Sequence, residues 1–147
     1  SATLTKVRAT CSDVGENVST LINFEVQARR TKGEGARDVV LPYFVAVLQG
    51  GTVVLSKRVS RVALHFDDGQ LRASTSGQAT ANVLRSAATL PRDIRKLLTR
   101  PRKAGNEEAA VDPLARPNIR AAVQRATFEA LVGFQLTNDQ LKYNATR

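Results

Sequence analysis

Residues 126–144 read ATFEALVGFQLTNDQLKYN. Phe128, Ala130, Val132, Phe134 and Leu136 share one parity, the mark of a strand with one face on a core. A polar stretch follows, reading as a turn and short helix over 137–144. A strand of this kind, placed last and closed by a polar cap, predicts the final strand of a β-sandwich.

Working back towards the N-terminus, the same period recurs. Val7, Ala9 and Cys11 alternate with Lys6, Arg8 and Thr10. This predicts a strand over 4–11, with Cys11 as a small buried hydrophobe. A turn at 13–17, centred on Gly15, leads to a second alternation over 18–30. There Ile22, Phe24, Val26 and Ala28 face one way and Asn23, Glu25, Gln27 and Arg29 the other. After a charged loop (32–38), Val39 to Leu48 reads VVLPYFVAVL, apolar on both parities. That composition predicts a strand covered on both faces, with Pro42 near its start or at a bulge. Gln49-Gly50-Gly51-Thr52 is hairpin chemistry. From Val53 to Phe66 the apolar parity changes between Val53/Leu55 and Val62/Leu64/Phe66, which predicts a bulge near 57–61. Residues 71–83 are small and polar, fitting an edge strand or extended loop. Six or seven strands with turns about every ten residues give an all-β, immunoglobulin-like antiparallel sandwich, with a small β-barrel as the alternative closure.

The chain has 147 residues, 42% of them hydrophobic and 5% aromatic. This suffices for one domain, residues 1–147, whose core is built from Val, Leu, Ala and a few Phe. One Cys provides neither an intrachain disulfide nor a multi-cysteine metal site. Lys and Arg number 22 against 13 acids, a net charge of +9, and such a surface attracts polyanions or an acidic protein face.

Much of that charge is local. Residues 85–125 hold ten Lys or Arg and four acids, which is +6 of the +9. This segment reads as a basic, partly helical insertion before the last strand. Pro91 opens a helical window that Pro101 stops, and Pro117 opens a second with Ile119, Ala122, Val123 and Ala126 as its stripe. In the first window, Ile94, Leu97 and Leu98 share a face. Arg92, Arg95, Lys96, Arg100, Arg102 and Lys103 surround them. These nine residues form the candidate partner-binding segment, within Pro91–Lys103. A protein partner, with the aliphatic residues as anchors and the cations at the rim, is weighed first. An anionic membrane surface comes next. Nucleic acid comes last, because no aromatics interleave to stack bases. The bland alternative is that the three aliphatic residues simply cap the sandwich.

No catalytic, metal or cofactor constellation stands out. His65 lies between Leu64 and Phe66, faces away from them and announces no acid partner. Asp67-Asp68-Gly69 is turn chemistry before it is a Ca²⁺ site. The paired Gly33 and Gly35 lack the remainder of a nucleotide loop.

The segments Leu41-Pro42-Tyr43-Phe44-Val45-Ala46-Val47 and Leu131-Val132-Gly133-Phe134-Gln135-Leu136-Thr137, followed by Gln140-Leu141 and Tyr143-Asn144, resemble the signature segments of a family of alphaproteobacterial cell-envelope lipoproteins. The likeness covers residues 7–66 and 126–147, and Cys11 matches a cysteine that precedes a strand in that family. The family supplies no activity to carry over. It implies a periplasmic or outer-membrane-associated protein, with a leader and lipidated cysteine ahead of Ser1. The absence of Met fits that expectation. The insertion at 85–125 is longer and more basic than the family's link. The expectation is therefore a non-enzymatic structural or protein-interaction module, such as an accessory subunit of a membrane-associated assembly. The rivals are a periplasmic binding module for anionic lipid or another polyanion and, weakest, an enzyme.

Overall fold

A computed structural model describes residues 1–101 and 111–145. The strands are β1 (Ala2–Val14), β2 (Asn17–Arg29), β3 (Arg37–Gln49), β4 (Val53–Phe66), β5 (Arg72–Leu84) and β6 (Phe128–Phe134). Between β5 and β6 lie α1 (Arg92–Thr99), a 3₁₀ turn (Pro113–Ala115) and α2 (Pro117–Ala126). α3 (Asn138–Ala145) follows β6. All pairings are antiparallel and form two three-stranded sheets, ordered β1-β2-β5 and β4-β3-β6. The fold is thus the expected all-β sandwich with helices in the insertion.

The core follows the alternation. Ile22, Phe24 and Val26 of β2 meet Tyr43 and Val45 of β3 and Val62, Leu64 and Phe66 of β4. Phe24 and Tyr43 pack edge to face, with centroids 5.0 Å apart and an interplanar angle of 73°. The buried Tyr43 needs a partner for its hydroxyl, and Oη donates to the Gln78 carbonyl at 2.7 Å, tying β3 to the opposite sheet. β5 is the edge strand its composition suggested. Its small inward residues have a steric cause: Gly77 is paired with Phe24, and a Cβ there would lie 2.3 Å from the Phe24 ring.

Four details differ from expectation. Pro42 sits mid-strand and not at a bulge: the β3–β4 register shifts opposite Val47/Leu48. The Pro42 carbonyl accepts from Gln135 N at 2.9 Å, one step past the last β6 pair, Tyr43 with Phe134. In an antiparallel ladder a residue's N–H and C=O point the same way. The missing Pro42 donor therefore falls where β6 has already ended. The parity change in β4 comes from Leu55, the extra residue between the Leu48–Val54 and Val47–Ser56 pairs, and not from 57–61. The outer face of β3 is only partly covered among the described residues: Ala46 and Leu48 are buried on it, whereas Val40 is 57% exposed.

Cys11, expected in the core, is exposed. It does lie on the core-facing side, paired with Thr20. However, the two sheets approach most closely at β4 and β5, and β1 is the edge strand furthest from that contact. β1 also carries a bulge between Thr5 and Arg8, where Lys6 takes a left-handed φ of 50°. Lys6 pairs with Glu25 at 2.7 Å, which holds the Glu25 carboxyl below the usual range. A bulge and a lysine on an edge strand discourage edge-to-edge association.

Candidate interaction surface

The segment from β5 to α1 is anchored to the β1–β2 hairpin. Arg85 N donates to Glu16 O at 2.8 Å, and the Arg85 guanidinium pairs with Asp13 at 2.6 Å. Thr89 Oγ1 donates back to Arg85 O at 2.7 Å. An open cleft of about 770 Å³ lies here, lined by Glu16, Leu84, Arg85, Leu90, Pro91 and Arg92 among others.

α1 starts from this anchor. Pro91 occupies its N-cap with φ −51° and ψ 144°, and Asp93 sits in the first turn. That favours the positive helix end. Two turns place Ile94, Leu97 and Leu98 on one stripe, as the spacing predicted. Ile94 and Leu98 are half-buried and Leu97 is 39% exposed, and no residue of α1 is buried. Arg92, Arg95, Lys96 and Arg100 are exposed. Among the described residues none of these four forms an ion pair. Seven of the nine candidate residues thus come together on or beside one helix. Arg102 and Lys103 lie outside the described residues.

α2 behaves differently although it is also proline-initiated. Ile119 is 1% exposed and Ala122 is buried. Its C-terminal end is locked to β3 by Gln49 Nε2 donating to Arg125 O at 2.6 Å and Gly50 N to Thr127 O at 3.0 Å. α2 is therefore part of the fold, whereas α1 buries no residue and leaves its apolar stripe only partly covered.

The end of the sandwich formed by the 30–36 loop and the 67–71 turn holds two polar clusters that the sequence did not announce. Arg30 donates to four carbonyls: Gln70 (2.6 Å), Gly35 (2.7 Å), Gly33 (2.6 Å) and Asp67 (2.9 Å). Its guanidinium lies 5.2 Å from the Phe66 ring centroid. Beside it, His65 has the acid partners that the sequence reading missed. Nδ1 is 2.6 Å from Asp38 and Nε2 is 3.2 Å from Asp67. Asp67 is legible two residues along the strand. Asp38 becomes a neighbour only through the β3–β4 register, which pairs Asp38 with His65.

The hydrogen bond and charge of Asp38, aided by Asp67, raise the His65 pKa above its ordinary value. Both nitrogens can donate to the two carboxylates at once only when the ring is protonated, so the pair of acids favours the imidazolium form. Because the folded value is raised, the cluster's stabilisation is complete below the unfolded value of about 6.5 and is lost as pH rises through the folded value. The expected result is an NMR titration of the His65 ring with a midpoint above that of a free histidine, moving back towards it in Asp38→Asn. A midpoint at or below the ordinary value in the parent would refute the clasp.

Among the described residues no group of three or more His, Cys, Asp or Glu is placed to hold a metal ion, and no helix is long and apolar enough to cross a membrane. No protein-family model, no curated protein and no solved structure matches this chain.

Proposed function

We propose that this chain is a non-enzymatic protein-interaction module of the bacterial cell envelope, an accessory subunit that docks on a partner through Pro91–Lys103. The observation that carries the reading is α1 itself: an aliphatic stripe at helical spacing with no residue buried, ringed by four cations that form no ion pair among the described residues, on a stem fixed to the sandwich. Ordering such a segment costs conformational entropy, and among the described residues it returns little packing to the fold. The compartment rests on the resemblance to the envelope lipoproteins. The same cations favour a second reading, attachment to an anionic lipid surface, which a short helix with three aliphatic residues serves weakly.

Two variants separate these readings. Leu97→Asp with Leu98→Asp removes the anchors. Arg92, Arg95, Lys96 and Arg100, each changed to Glu, reverse the rim. Both are expected to keep the sandwich's melting temperature, because α1 contributes no buried residue. Full burial of an aliphatic side chain is worth about 1.5–3 kcal/mol, so the first variant is expected to weaken capture of a stoichiometric partner from solubilised membranes by about 100-fold or more. The second acts mainly on association rate and salt dependence, by about 10-fold. Salt-sensitive binding to anionic liposomes, unaffected by the first variant, would favour the lipid reading. Unchanged partner capture by both variants would refute docking through α1.

A further inference from the structure

We propose that the outer face of the β4-β3-β6 sheet is a second docking surface, and that its occupant is an acidic amphipathic helix of a protein partner. The residues of β3 are apolar on both faces. Tyr43 and Val45 of its inner face are in the core. On the outer face, Val40 is 57% exposed, Val59 of β4 is 56% exposed and Leu131 of β6 is 46% exposed. Register places them together: Phe44 lies between Val59 and Gly133, and Leu131 pairs with Ala46 beside them. A sheet that is apolar on both faces is normally covered on both; among the described residues the outer face is closed at Ala46 and Leu48 and left open around Val40, Val59 and Leu131.

The rim selects the occupant. Lys57 and Arg61 flank Val59 on the same face of β4. Lys57 Nζ stands 4.7 Å from the Phe44 ring centroid. Neither cation is in an ion pair among the described residues. The acids of this face stand at its ends: Asp38, within 2.6 Å of His65 Nδ1, and Glu129, paired with Leu48. A chain of net charge +9 repels a second copy brought face to face. A helix with an apolar stripe flanked by carboxylates matches both the apolar row and the cations. This surface is separate from α1, so the proposal stands or falls independently of the α1 docking site.

The test titrates the full isotope-labelled chain with two synthetic helical peptides. They share one leucine stripe, flanked by glutamates in one and by lysines in the other. The glutamate peptide is expected to shift the amide signals of Val40, Phe44, Val59 and Leu131, and the lysine peptide to leave them in place. Lys57→Glu with Arg61→Glu is expected to weaken glutamate-peptide binding at least ~10-fold. Val59→Lys with Leu131→Lys is expected to abolish it. The peptide comparison uses the unmodified chain, so it decides the matter even if either variant misfolds. Four results overturn the proposal: no shifts on this face, equal shifts with both peptides, shifts that follow protein concentration without peptide, or shifts produced only by phosphatidylglycerol vesicles.

Discussion

Gly77→Ala is expected to lower the stability of the sandwich by about 3 kcal/mol, the range of serious overpacking in a filled core, and its melting temperature by roughly 10 °C. The sign runs against the usual effect of the substitution. Gly77 does not have a positive φ, and at a compatible backbone Gly→Ala commonly stabilises by about 0.4–1 kcal/mol through the unfolded state. Here the new Cβ would lie 2.3 Å from two ring carbons of Phe24. Phe24 is 3% exposed and braced edge-on against Tyr43, so it has nowhere to retreat. Trimming the ring should relieve the clash, and Gly77→Ala with Phe24→Leu is expected to be less destabilised than the sum of the single variants. Gly133 provides the internal contrast. A Cβ there meets the Phe44 ring at 2.9 Å, but Phe44 is half-buried on the outer face and free to swing outward, so Gly133→Ala is expected to cost no more than about 1 kcal/mol. Equal losses at the two glycines, read from thermal or urea unfolding, would show that the Phe24–Gly77 contact does not define the core.

Arg30→Lys is expected to cost about 2 kcal/mol although it keeps the charge. The guanidinium reaches four carbonyls on two loops through three nitrogens. A lysine ammonium cannot reproduce that planar fork. Charge-assisted bonds are individually worth about 1.5–3 kcal/mol. Their sum is cut down here because most of the acceptors are near solvent and rehydrate when released. The two loops also bond directly, Gly69 N to Gly33 O at 2.8 Å and Gly35 N to Asp68 Oδ1 at 2.7 Å. The variant should therefore loosen this end without unfolding the sandwich. Hydrogen exchange is the measurement: faster exchange confined to 30–36 and 67–71 is expected. Parent-like protection there would mean that Arg30 is not the clamp.

What could be read in advance was whatever is encoded by neighbours along the chain. β2 was plain because Ile22, Phe24 and Val26 alternate with Asn23, Glu25 and Gln27, a period that needs no knowledge of the partner strand. The proline starts of α1 and α2 and the polar cap after β6 are local in the same sense. Thr137 and Gln140 bond reciprocally there, Thr137 N to Gln140 Oε1 at 2.9 Å and Gln140 N to Thr137 Oγ1 at 3.3 Å, the capping-box arrangement.

What was missed depends on contacts across the chain. The bulge at Leu55 is set by which β3 residue each β4 residue meets. Cys11 has the parity of a core residue and is exposed because of where β1 lies in the sheet. Arg30 binds backbone carbonyls, which every sequence possesses, and Asp38 is 27 positions from His65. Of the candidate site, the helix and its stripe were legible. Its incomplete burial was not, since nothing in their local patterns distinguishes the stripe of α1 from the buried one of α2.

The central claim is that α1 is a docking element on a self-sufficient sandwich. A photo-crosslinking amino acid placed at Leu97 in the native host tests it most directly, with Ser76, exposed on β5, as the control position. The account predicts one discrete protein adduct from position 97, lost on charge reversal of Arg92, Arg95, Lys96 and Arg100, and none from position 76. Equal yields at the two positions, or no adduct at 97, would contradict it.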